Sequence, residues 1–170
     1  MKKKLINGLF YGVFIFYLWF IFKNILFKLV SPFELFSLQR YFYRNVNWIP
    51  FYDAFSGNFD TLDIFGNFVV FIPLGVYTAY FFPKKRYAFL APLLLSVFFE
   101  ACQYLFAIGA TDITDVMTNT LGGALGVGIY YLLKRIFKNR ERIKSSIAFL
   151  SFAAMVPVTG ILILLLVMNL

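Results

Sequence analysis

Seven side chains in the middle of the chain have the types and spacing for chemistry on helix surfaces. Ser96, Glu100, Gln103 and Ala107 recur at intervals of four, three and four, which sets them on one helical stripe. Asp112, Asp115, Asn119, Gly122 and Gly126 form a second stripe, polar at one end and glycine at the other. Small residues at such spacing let helix backbones approach closely, so Gly122 and Gly126 read first as positions that pack this helix against the helix of the first stripe. Asp112 and Asp115 have the placing of an N-cap and an N3 residue at a positive helix end. Gln103 and Asn119, with Asn67 further upstream, could be hydrogen-bonding links between helices. Glu100 is harder to read as structure, because a lone ionisable residue deep in an apolar segment is costly and marks function by default. The chain has no His, the commonest metal ligand and the commonest general base near neutral pH. The single Cys102 lies in an apolar run and can form no intramolecular disulfide. The residue set calls for no cofactor and no resident metal.

The elements that must carry these side chains are membrane spans. Hydrophobic residues make up 61% of the 170 positions and charged residues 14%, with a mean hydropathy of +0.78. A soluble domain is nearer half apolar and a quarter charged, and one core of this size cannot hide the excess. The expected fold is all-α: a polytopic bundle of about five transmembrane helices plus one interfacial amphipathic helix, forming a single membrane domain over 1–170. Apolar stretches at 5–22, 64–82, 87–107, 116–133 and 147–170 each approach the ~20 residues needed to cross a bilayer core. The first follows Lys2-Lys3-Lys4 and ends in Phe20-Ile21-Phe22-Lys23, without the small residues of a cleavage site, so it reads as an uncleaved anchor. The run at 147–170 is an additional C-terminal transmembrane helix.

Basic residues orient the bundle. Lys2–Lys4, Lys84–Arg86 and the 134–144 segment hold twelve of the 16 Lys and Arg, and a five-span arrangement places all twelve on one side. By the positive-inside rule that side, with the N-terminus, is cytoplasmic in a multi-pass protein. The net charge of +8 is then a topology signal and a contact with anionic lipid, not a nucleic-acid surface. Glu34, Asp53, Asp60, Asp63, Asp112 and Asp115 fall on the other side. There, Ser31-Pro32-Phe33-Glu34 is a capping box with Pro at the first helical position. The stretch 35–45 after it predicts a short interfacial helix with Ser37, Arg40 and Arg44 on one face. Those arginines either touch lipid phosphate or turn inward to meet a buried acid.

Depth follows from the helix rise. Glu100 lies seven residues below the outer end of its span and Asn119 seven below Asp112, so both sit about 10 Å inside the boundary. Asn67, four residues past Asp63, falls near the same level. Three spans bring polar side chains to one depth on the outer side.

In order along the chain, Arg44-Asn45-Val46-Asn47-Trp48-Ile49-Pro50-Phe51, Asn67-Phe68-Val69-Val70-Phe71-Ile72-Pro73-Leu74-Gly75, Glu100-Ala101-Cys102-Gln103, Asp112-Ile113-Thr114-Asp115 and Asn119-Thr120-Leu121-Gly122-Gly123 resemble the motifs of the VanZ-like membrane proteins. The resemblance covers a motif core of about 40–133. It implies a bacterial cytoplasmic-membrane protein and a link to resistance against teicoplanin-type lipoglycopeptides. Many members of that family carry an Arg between the third and fourth motifs; here Ile108-Gly109-Ala110-Thr111 has none, so either Arg40 or Arg44 substitutes for it or the activity differs.

Two functions fit these residues. One is a non-enzymatic membrane protein whose outer polar pocket (Arg40, Arg44, Asn47, Asn67, Glu100, Gln103, Asp112, Asp115, Asn119) binds a lipid-linked cell-wall intermediate or a lipoglycopeptide, with membrane lipids around it. The other is an intramembrane enzyme acting on a lipid phosphate or glycolipid, with Glu100 as general acid or base and Asp112 and Asp115 on a divalent ion. No nucleophilic Ser, His or Cys constellation supports the enzyme, so the binding protein is preferred. An ion pathway would need polar residues through the inner halves of the spans, which offer only Thr78 and Ser96.

Overall fold

The three-lysine start and the apolar run behind it form a helix, Lys2–Ile21 (α1), in a computed structural model that describes residues 2–28, 30–37, 42–52 and 61–168. Helix α1 passes into a π-helical turn, Phe22–Leu26, which carries the spanning stretch to Lys3–Leu26. Helices Thr61–Phe81 (α2), Lys85–Phe106 (α3), Ile113–Ile136 (α4) and Arg140–Met168 (α5) follow. Lys3–Leu26, Asp63–Phe81, Lys85–Phe106 and Ile113–Ile136 are long and apolar enough to cross a membrane, and α5 covers most of the fifth expected run. Leu94, Leu105, Phe65 and Leu121 are each more than half exposed, as side chains facing acyl chains are. The protein is an all-α membrane bundle.

The chain divides into two units. Residues 20–131 form one. In it, Phe99 is fully buried and receives Phe22 and Phe71 edge-on at 5.0 and 6.5 Å between ring centroids. Glycines bring α4 against two neighbours. A Cβ built at Gly122 would overlap the Phe68 carbonyl and one at Gly126 the Ile72 carbonyl, both on α2, while one at Gly123 would meet the ring of Pro92 on α3. The stripe of Gly122 and Gly126 therefore faces α2. Thr78 Oγ1 donates to the carbonyls of Gly75 and Ala88, pinning the α2–α3 turn.

Residues 1–19 and 132–170 form the other unit. Lys144, 6% exposed, donates to Asn7 Oδ1 at 2.7 Å and lies 5.1 and 4.5 Å from the rings of Phe10 and Tyr11. Lys3 and Glu141 form an exposed ion pair at 3.3 Å.

Among the described residues of the 35–45 stretch the expected interfacial α-helix does not form: 35–36 close a 3₁₀ turn, 43–45 belong to a strand, and 38–41 lie outside the described residues. The capping box forms, with Ser31 Oγ accepting from the Phe33 N–H and Glu34 accepting from the Ser31 N–H. The helix it starts is a 3₁₀ helix of five residues, Pro32–Phe36. Phe33 is 92% exposed, so no packing extends it. Tyr43–Asn47 is instead a strand (β1), paired in parallel with Ile108–Asp112 (β2) in the register Arg44 to Gly109 and Asn47 to Asp112. Asn45-Val46-Asn47 are poor helix formers ahead of a Pro, and β2 offers a full ladder of partners.

Candidate functional site

Helix α3 ends at Ala107, which takes left-handed angles (φ 50°) and is almost fully buried. That reversal sends β2 back along the end of α3. It brings the Asp112 N–H within 2.9 Å of Glu100 Oε2 and the Thr111 hydroxyl within 3.2 Å of the Glu100 carbonyl. Asp112 then opens α4: its Oδ1 accepts from the Thr114 N–H at 2.7 Å. Its Oδ2 accepts from Asn47 Nδ2 at 3.1 Å, across the ladder. Asn47 Oδ1 accepts from the Ile49 N–H, an Asx turn, and Thr114 Oγ1 accepts from the N–H of Phe51, itself at φ 57°. One web of hydrogen bonds thus joins the Asn47–Phe51 turn, the end of α3 and the start of α4.

The other polar residues lie in the same unit. Asn119, fully buried, donates to Ser96 Oγ at 2.9 Å and so ties α4 to α3. Asn67, on α2, hydrogen-bonds the Asp115 carboxylate. Gln103 Nε2 donates to the Ile25 carbonyl at 2.9 Å, one of the carbonyls that a helix end leaves without an intrahelical partner. Asp63 pairs with Lys28. Glu100 is within electrostatic reach of Asp115, Asp112 and Lys28.

Beside Glu100 lies a cavity of about 590 Å³. Asn47, Glu100 and Asp112 give it a polar floor, and Val97, Ala101 and Val116 supply apolar wall. Val97 is about half exposed, so on a spanning helix the wall continues toward lipid.

Sequence reasoning placed Glu100, Asp112 and Asn47 on one site, and the structure joins them. Asn67, Asp115, Gln103 and Asn119 make interhelical bonds around it. Arg44 does not turn inward. Its guanidinium donates to the Leu105 carbonyl at 3.4 Å and lies 5.7 Å from the centre of the Tyr104 ring. A strand position at the sheet edge keeps it at the rim, and among the described residues Lys28 is the cation within electrostatic reach of Glu100 and Asp115. Arg40, with Asp53 and Asp60, lies outside the described residues. Thr111, Thr114 and Lys28 were not foreseen; the signal for Lys28 was a basic residue on the acidic side. For the enzymatic alternative, both Asp112 oxygens accept from protein donors. Among the described residues no group of three or more His, Cys, Asp or Glu side chains is arranged to hold a metal.

A membrane bundle with a polar-floored cavity among its spans is the class these features define. The VanZ/LLP1 family matches residues 14–135. A protein named Protein VanZ, from Enterococcus faecium, is 38% identical over 136 residues, covering 78% of this chain and 79% of its own. The chain belongs to the VanZ/LLP1 family. No solved structure matches it.

Proposed function

We propose that this is a non-catalytic protein of the bacterial cytoplasmic membrane whose cavity holds an amphiphile of the cell envelope. The ligand class is a lipid-linked wall component or the lipid-bearing end of a lipoglycopeptide, bound on the extracytoplasmic side. The observation that carries this reading is the cavity, with Glu100, Asp112 and Asn47 beneath apolar residues of helices fit to span a membrane. Ligand pockets of this kind are mostly apolar, with a few placed polar groups that fix orientation. The resemblance to the VanZ-like proteins brings in resistance to teicoplanin-type lipoglycopeptides.

Glu100→Gln tests it. Gln retains an oxygen for the Asp112 N–H, so the fold should survive while the carboxylate is lost. In a susceptible bacterium expressing the wild type, protection against a teicoplanin-type lipoglycopeptide is expected. The variant, at equal membrane level by immunoblot, should give none. Full protection by Glu100→Gln would remove Glu100 from function, and no protection by the wild type would remove the antibiotic from the reading.

A further inference from the structure

Resting on the amphiphile-binding reading above, we infer that the head group this cavity takes is a positively charged hydrogen-bond donor, an alkylammonium, and not a phosphate. The hydrogen bonds around Glu100 satisfy one of its two side-chain oxygens and leave the other over. Asn47 Nδ2 is spent on Asp112, the Asp112 N–H on Glu100 Oε2, and the Thr111 hydroxyl on the Glu100 carbonyl. Four buried side-chain polar atoms among the described residues have no partner. They are Glu100 Oε1, Gln103 Oε1, Asn119 Oδ1 and the Thr120 hydroxyl, and of these four residues Glu100 is the one that lines the cavity. Glu100 is 4% exposed. An orphaned buried carboxyl oxygen is costly, and a cation beside it both pairs with it and favours its ionised form.

The charges point the same way. Glu100, Asp112 and Asp115 lie within reach of one another. Of the described cations nearby, Lys28 is engaged by Asp63 and Arg44 donates to the Leu105 carbonyl at the rim. A phosphate entering here would meet carboxylates in a setting where screening is weak. An ammonium would meet the open Glu100 Oε1 beside the Asp112 side chain, with its chain along Val97, Ala101 and Val116. The apolar walls make the ligand an amphiphile, not a free amine.

Trp48 lines the cavity and is one of two tryptophans in the chain, so a Trp19→Phe protein in detergent carries a single reporter at the site. Quenching of Trp48 would be titrated with chain-brominated dodecylammonium, dodecyl phosphate and dodecanol, with ethanolamine as a chainless competitor. The expected result is half-saturation by the ammonium at a concentration about tenfold to a hundredfold below the phosphate, the span of a hydrogen bond to a charged group. Ethanolamine should not displace it. Glu100→Gln, which exchanges the orphaned oxygen for an NH₂ donor, should erase the preference; if that variant does not fold, the wild-type ranking decides alone. Equal or tighter binding of the phosphate would overturn the inference and leave the amphiphile reading standing. Displacement by ethanolamine would show a free-amine site. If no brominated chain quenches Trp48, the cavity reading itself fails.

Discussion

Glu100 has one oxygen committed to the Asp112 N–H and one with no partner, and that division sets what each neighbour must do. Asp112 has no such freedom, because Thr114 and Asn47 hold its two oxygens. Asn47 is the residue that closes the web: its Oδ1 makes the local turn and its Nδ2 makes the long-range link. Asn47→Asp separates the two roles, since a carboxylate keeps the bond from the Ile49 N–H and sets a like charge against Asp112. We expect a loss of about 1–3 kcal/mol, the cost of a broken buried hydrogen bond, read as a lower unfolding temperature in detergent; an unchanged temperature would show that the cross-ladder bond contributes nothing. Ala107 offers the opposite sign. Left-handed angles cost a non-glycine residue roughly 1–2 kcal/mol, so Ala107→Gly should hold or raise the unfolding temperature, and a clear fall would show that the methyl packing outweighs the strain.

At the level of elements, Gly126 shows both what a stripe of small residues discloses and what it hides. The spacing of Gly122 and Gly126 marked a close helix contact, yet the sequence pointed to α3 as the partner and the structure gives α2. Periodicity identifies a face but not the helix across from it. Gly126→Leu should drive a side chain into the Ile72 carbonyl and lower stability by about 1–3 kcal/mol or more. Gly128→Leu, on the same helix where a Cβ meets nothing within 4 Å, should change little; equal effects would mean that glycine in α4 matters through propensity and not contact. The spans and the Glu100–Asp112–Asn47 site were legible because apolar length and intramembrane polarity are local signals. The β1–β2 ladder was not, because Tyr43–Asn47 becomes a strand only by finding Ile108–Asp112. No window around residue 44 contains that partner, so the sequence places Arg44 on a helix with an inward turn as one of two roles, where the structure has a strand and a rim position.

For the whole molecule, the charge asymmetry predicts that the 134–144 segment lies in the cytoplasm and the 23–63 segment outside. With Cys102→Ala as background, Phe33→Cys should react with an impermeant thiol reagent on intact cells and Lys138→Cys only after lysis. The reverse pattern would overturn the orientation. The parallel ladder carries a further consequence, for biogenesis. Asn47 and Asp112 are 65 residues apart, and α2 and α3 both lie between them. As the chain is made from its N-terminus, β1 emerges first and must wait, unpaired, while two spans are inserted. Only when β2 follows can the ladder form, Asn47 reach Asp112 and the floor of the cavity be complete. The web of Asn47, Glu100 and Asp112 therefore cannot form before β2 is made, and a chain stalled before residue 108 has membrane helices but lacks the Asp112 part of the cavity floor.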